Sequence, residues 1–436
     1  MKITLIVPGW DVHSFWRIKP FRFPLLCLST LAALTPEHHE LELVDENVEE
    51  IDYDALEADL VGITAMTSQA PRAYEIARLL RARGIQTVLG GIHPTMMPDE
   101  AMQHADAIVL GEAEGLWPQL LEDGEQGRLK KRYMCETRPS LEHLPVPRRD
   151  LYLKDRRYKR YYTSIDTVQT GRGCPFGCDF CSVTQFSGNT YRFRPIEDVA
   201  KELSAMKSQL IMFMDDNIMG NPKHARELFA AIAPLHKRWF SQCSLNIAND
   251  DTLLKCAAES GCDELFIGFE TLSNEGLQEI HKNQNLGIDY KKAVKKLHDY
   301  GIAVFGAFIF GLEHDDNTTI QRTLDLTNDC DMEEAQFSIL TPFPGTSLFA
   351  TMKAQGRITT YDWSQYDFSH LVFRHNNFTK DELEDKHLTA WKEFYSVKSI
   401  FTRLDPKKLM SWCLIENLTF GYHSQKIYRN RYKGTR

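Results

Sequence analysis

"GRGCPFGCDFCS", residues 171–182, sets Cys174, Cys178 and Cys181 in a C-x3-C-x2-C spacing directly after the run "SIDTVQT". The other seven of the ten cysteines are scattered and suit small core positions. A structural zinc wants four ligands, and no fourth Cys or His stands at a matching position nearby. The odd count speaks against a disulfide framework, as does the expected reducing compartment. Three thiolates suit a four-iron cluster whose last iron stays open to an exchangeable ligand. Gly173 and Gly177 are expected to let the loop wrap closely, and Arg172 to add positive charge beside an anionic cluster.

The run before the cysteines opens a βα series. Its expected strands are "SIDTVQT", "QLIMFMD", "CSLNIA", "ELFIGF", "AVFGAFIF" and "AQFSIL", separated by helical stretches such as "PKHARELFAAIAPLHKRW" and "DYKKAVKKLHDYG". Six such repeats predict a partial (β/α) barrel over residues 161–350, with chemistry gathered at the carboxyl ends of its strands. Upstream, residues 1–125 alternate strands with helices: "KITLIVP", "ELELVD", "DLVGIT", "QTVLGG" and "DAIVLG". The helix "APRAYEIARLLRARG" lies between the third and fourth and carries a glycine stop. This predicts a doubly wound, flavodoxin-like α/β domain in which "GWDVHSFW" and "TAMTSQ" flank one crevice. Residues 126–160, with "RPSLEHLPVPRRD", read as a linker. Residues 351–436 read as a helical segment rich in Trp, Tyr and Phe, covering either a substrate pocket or the core.

No apolar run approaches the roughly 18 residues of a membrane span. No export signal opens the chain, so a cytoplasmic location is expected. A net charge of −9 argues against nucleic acid as a partner. The last thirty residues lean basic, through Lys407, Lys408, Lys426, Arg429, Arg431, Lys433 and Arg436, and allow at most a peripheral membrane contact.

The cysteine spacing resembles that of the radical S-adenosylmethionine (SAM) enzymes. The resemblance implies SAM chelated by the open iron and cleaved to a 5′-deoxyadenosyl radical. It implies Phe180 near the adenine and Asp215, Asp216 and Asn217, in "MDDNIMGN", at the SAM amino group. Carboxylates suit an ammonium there, although each of the three also reads as a cap before "NPKHARELF". Asn246 and Glu270 match positions that reach the ribose or methionine parts, and Gly311 matches the glycine region near adenine. "TPFPGTSLF", residues 341–349, resembles a segment of the cobalamin-linked branch and also reads as a stiff turn.

Cobalamin domains of that branch carry D-x-H-x-x-G, S-x-L and G-G. This chain offers Asp11-x-His13-x-x-Trp16, Thr64-x-Met66 and Gly90-Gly91, then "GGIHPTMMPDEA" and "GEAEGLW". The resemblance implies cobalamin held by Trp16, Thr64, Met66, Gly90, Gly91, Gly111 and Glu112. Because Trp16 replaces the motif's last glycine, His13 is disfavoured as a cobalt ligand, and His93 is expected to cap its turn. The implied activity is methylation of an unactivated carbon of a small organic or lipid-like substrate. Oxidative cyclisation of the tetrapyrrole-cyclase kind is the alternative, and a non-catalytic cobalamin carrier or sensor is the reading of another class. An external electron donor, such as flavodoxin or ferredoxin, is the implied partner.

Overall fold

A computed structural model describes residues 1–11, 14–17, 25–142, 144–153, 165–404 and 412–432; His13 lies outside the described residues. The first sheet holds β1 (Lys2–Val7), β2 (Glu40–Asp45), β3 (Leu60–Thr64), β4 (Gln86–Gly90), β5 (Ala107–Leu110) and β6 (Arg132–Met134). All are parallel, in the order β2-β1-β3-β4-β5-β6. This is the flavodoxin-like order, and the helix Ala70–Ala82 covers it through Ala73, Ile76, Ala77 and Leu80. Gly84, at φ +78°, follows its end as the sequence predicts. The sixth strand is new: it comes from the stretch read as a linker. Only Tyr133 of its three residues is buried, its hydroxyl donating to Asp123 at 2.9 Å, so no alternation marks it.

The second sheet follows as β7 (Ile165–Val168), the short antiparallel pair β8 (Gly171–Arg172) and β9 (Arg192–Phe193), then β10 (Leu210–Phe213), β11 (Arg238–Cys243), β12 (Cys262–Glu270), β13 (Ala303–Phe310) and β14 (Glu334–Ile339). Strands β7 and β10–β14 are parallel and adjacent in chain order, the pattern of a partial barrel. The third strand needs correction. Helix Pro222–Ile232 ends early, His236 turns at φ +50°, and the strand runs through Arg238–Cys243. "LNIAN" then winds as a 3-10 turn after the strand. The fully buried Trp239 anchors this register, its indole donating to Ser260 O at 3.2 Å.

Along β12, Leu265, Ile267 and Phe269 are fully buried, and Phe269 packs edge-on against Tyr290 of the helix Tyr290–Asp299. The alternate residues therefore face the barrel interior. Helices Ser347–Ala354, Lys380–Phe394, Val397–Arg403 and Trp412–Tyr432 close the chain. Residues 355–379 form an irregular strap pinned by an Ile358–Phe373 bridge. Trp363, Tyr366 and Val372 of this strap, with Phe349, enter the same buried cluster as Ile6, Val61, Ile63 and Leu89 of the first sheet. Trp391 and His387 instead hold the barrel, each bonding Phe337 O. Trp363, Tyr366, Phe373, Trp391, Phe394 and Tyr395 are buried, so most of the aromatic set is core. No helix among the described residues is long and apolar enough to cross a membrane.

Candidate cofactor-binding active site

The two sheets meet through the loops at the carboxyl ends of their strands. Gly345 of "TPFPGTSLF" packs on Met96, which follows β4, and Leu348 N–H donates to Asp179 O in the cysteine loop at 3.1 Å. Arg172 reaches out of β8 to Glu112 at 2.6 Å and to Glu114, both after β5, and Arg192 also pairs with Glu112. Their side chains are only 3–18% exposed, so this is a largely desolvated charge network across the domain junction. The positive charge that Arg172 is expected to add beside the cysteines is thus paired with carboxylates of the other domain. The flanking arginines hold the Glu112 carboxyl below its usual range against the opposing effect of burial.

The cysteine loop is braced from three sides. Gly173 sits at φ +93°, where any Cβ would strike Thr190 O. Gly177 has open space around it, so close wrapping is a property of Gly173 alone. Asp215 accepts from Thr170 N–H, Thr170 Oγ1 and Gly171 N–H, and Asp216 accepts from Gly173 N–H at 2.8 Å. Burial pushes the Asp215 carboxyl up to about 7 against those donors, and raises Asp216 as well. Asn217 Nδ2 lies 2.7 Å from Ser244 Oγ and 3.6 Å from Cys174 Sγ. Its Oδ1 is buried without a hydrogen-bond partner, an acceptor left open beside the cysteines.

From the third side, residues 280–284 clasp the loop. Asp179 N–H donates to Ile280 O, and its carboxylate pairs with His281 Nδ1 at 2.6 Å. Gln284 Nε2 lies 3.6 Å from Cys178 Sγ. Lys282 Nζ pairs with Glu270 at 2.6 Å, the two side chains 12% and 7% exposed. Glu270 ends β12 at φ +66°, in the left-handed region that side chains avoid. Burial pushes the Cys181 thiol up to about 11 and raises Cys178, while the Lys282 charge acts in the opposite direction on both. Lys282 and Gln284 are absent from the sequence reading. They lie some hundred residues beyond the motif, and no spacing ties them to it.

All three cysteines are free, half-buried thiols carried by one short loop. A structural zinc wants four protein ligands, whereas a four-iron cluster held by three thiolates keeps its last iron open. The donor set therefore fits a cluster with one open iron. Phe180 is half-buried against the barrel core, and Asn246 is exposed on the turn after β11. Gly311, at φ +94°, faces Leu383 and donates its N–H to Asp315, so protein packing already accounts for its glycine.

In the first domain, Gln69 Nε2 ties the β3 loop to Pro8 O at 2.7 Å. Thr64 and Gly90 sit side by side at the strand ends. Gly91, at φ +96°, leaves no room for a Cβ beside Thr64 Oγ1 and the Ala65 backbone, while a Cβ at Gly90 would meet only Val109, at 3.9 Å. Gly111, at φ +78°, makes room for the Arg138 side chain. Trp16 turns its ring to Phe368 and Trp391 and donates its indole N–H to Asp367 O. His93 does not cap its turn: it is fully buried, with Nε2 3.0 Å from the Tyr74 hydroxyl. Met66 after β3 (47%), Leu272 after β12 (37%) and Phe368 of the strap (39%) are large apolar side chains left exposed, and Phe368 packs on Trp16 and Phe343.

Residues 168–327 match the Radical SAM superfamily, and residues 24–121 match the B12 binding domain. Bacteriochlorophyllide d C-12(1)-methyltransferase of Chlorobaculum tepidum is 32% identical over 93% of this chain and 90% of its own. The C-8(2)-methyltransferase of the same organism is 31% identical, covering 91% of each chain. Among solved structures, the radical SAM methyltransferase TsrM of Kitasatospora setae, with cobalamin and a [4Fe–4S] cluster bound, shares the fold. Its TM-score is 0.68 at 16% identity, over 93% of this chain and 89% of that one. This chain is accordingly an enzyme that uses a [4Fe–4S] cluster, SAM and cobalamin. It belongs to the radical SAM superfamily, in the branch whose barrel follows a B12-binding domain.

Proposed function

We propose that this enzyme methylates an unactivated carbon of a bulky, mainly apolar ring system, of tetrapyrrole size, held inside the half-barrel. The observation that carries the substrate class is the inner face of the barrel. Met212, Phe240, Phe266, Phe305 and Ile309 are only half-buried there, each flanked along its strand by buried residues. Phe266 and Phe305 pair edge to face at 4.9 Å, an aromatic wall across two neighbouring strands. The Chlorobaculum relatives, by name, methylate bacteriochlorophyllide d.

When bound, the cluster with SAM supplies a hydrogen-abstracting radical, and the cobalamin supplies the methyl group. In this reading Cys174, Cys178 and Cys181 hold the cluster, and Asn217 Oδ1 accepts from the SAM amino group. Asp215 and Asp216 position the cysteine loop through its backbone N–H groups. Lys282 holds Glu270 in place at the end of β12. Thr64, Met66 and Gly90 line the cobalamin crevice, and the Glu112–Arg172–Arg192 network holds that crevice over the barrel mouth.

The test is anaerobic turnover of the reconstituted enzyme with a bacteriochlorophyllide, followed by mass spectrometry. Expected are a product heavier by one CH2 and S-adenosylhomocysteine alongside 5′-deoxyadenosine. Deoxyadenosine formed with no S-adenosylhomocysteine would replace methylation by cyclisation.

A further inference from the structure

The last two helices turn apolar side chains outward in rows. On Val397–Arg403, Val397 and Phe401 stand one turn apart and are 64% and 55% exposed. On Trp412–Tyr432, Ile415, Leu418 and Tyr422 follow at i, i+3 and i+7, exposed by 52%, 42% and 72%. These five are nearly half of the eleven large apolar side chains exposed among the described residues. A groove of about 610 Å³ runs between the two helices, with Tyr395 and Ile400 in its wall.

The charge pattern says what this face meets. Lys426 and Arg429 edge the groove and continue the Leu418–Tyr422 row along the same helix, so the row passes from apolar to basic. Residues 405–436 carry seven basic and two acidic side chains in a chain whose net charge is −9. Long basic side chains can lay their stems along apolar surface and keep their charges at phosphate level. An apolar row with a basic flank is how a helix lies in the plane of an anionic interface. A transmembrane anchor is a different device, and no described helix provides one.

We propose that this face rests on the surface of an anionic phospholipid bilayer. Val397, Phe401, Ile415, Leu418 and Tyr422 enter the boundary between headgroups and acyl chains, and Lys426 and Arg429 meet the lipid phosphates.

The test is flotation of the full-length, cluster-loaded enzyme with vesicles of phosphatidylcholine mixed with phosphatidylglycerol, against phosphatidylcholine alone. The enzyme should float with the mixed vesicles only, and less so as salt rises. Lys426→Gln and Arg429→Gln should each weaken binding about fivefold, since a basic residue near such a surface is worth about 1 kcal/mol. Phe401→Asp combined with Tyr422→Asp should abolish it while iron content and circular dichroism stay those of the wild type. Equal flotation of that double variant, or no flotation of the wild type on mixed vesicles, overturns the proposal. So does a wild-type dimer that the double variant splits without any vesicle binding, which would make the face a self-association surface.

Discussion

Replacing Gly173 with alanine attacks the cysteine loop at its tightest point. The new methyl would lie far inside the 3.0 Å that real Cβ atoms keep from Thr190 O, on a backbone held at φ +93°. A side chain in the left-handed region costs about 1–2 kcal/mol. Relief requires Thr190 to move, which breaks its hydroxyl's bond to Ser187 O (2.6 Å) and the Arg192 Nε bond to that hydroxyl (2.9 Å). At about 1 kcal/mol each, those losses bring the total to roughly 3–4 kcal/mol, a several-hundredfold drop in the cluster-ready loop. The assay is iron per chain and iron–sulfur absorbance after anaerobic reconstitution. Gly177→Ala is the partner experiment, because nothing lies within 4 Å of the added methyl. Gly173→Ala should load poorly and Gly177→Ala nearly fully. Equal loading of the two would refute the argument from Thr190.

Lys282→Met should destabilise the fold by about 3–5 kcal/mol in urea unfolding, because it strands the buried Glu270 charge. Adding Glu270→Gln to that variant should recover much of the loss. The junction should also respond to acid with a defined sign. The Glu112 carboxyl is held below its ordinary 4.5 in the fold, so its stabilisation is complete above that pH and is lost as pH falls through the lowered value. Hydrogen exchange at the junction should therefore rise below pH 4.5 in the wild type, while Glu112→Gln starts looser and loses that component of the pH response. Cys178→Ala should abolish both SAM cleavage and iron–sulfur absorbance, with circular dichroism unchanged.

Periodicity made most of the scaffold legible. Short apolar runs such as "LVGIT" and "AVFGAFIF", alternating with helical stretches, form the parallel strands, their length and β-branched or aromatic content favouring strand over helix. The edge strand at Tyr133 escaped because three residues carry no period. The third barrel strand was displaced because "HKRW" extends a helical pattern that the backbone abandons at His236. At the site, the cysteine spacing was legible because a short loop supplies all three thiols. Lys282, Gln284 and the partners of Arg172 were not, since tertiary folding alone brings them there. His93 looked like a turn residue because its burial beneath the strap depends on Trp363, 270 positions later.

That strap sets the order in which the protein can be made. During synthesis, the first 125 residues leave the ribosome carrying most of a parallel sheet. The seat for Trp363, Tyr366 and Val372 in its core stays empty until the entire barrel has also been translated. The nascent sheet waits with that apolar patch uncovered, the kind of exposed surface that promotes aggregation during folding. The crevice that receives cobalamin and the barrel that receives the cluster are thus completed by one late stretch of chain, so a truncated product ending before the strap would leave both domains unfinished.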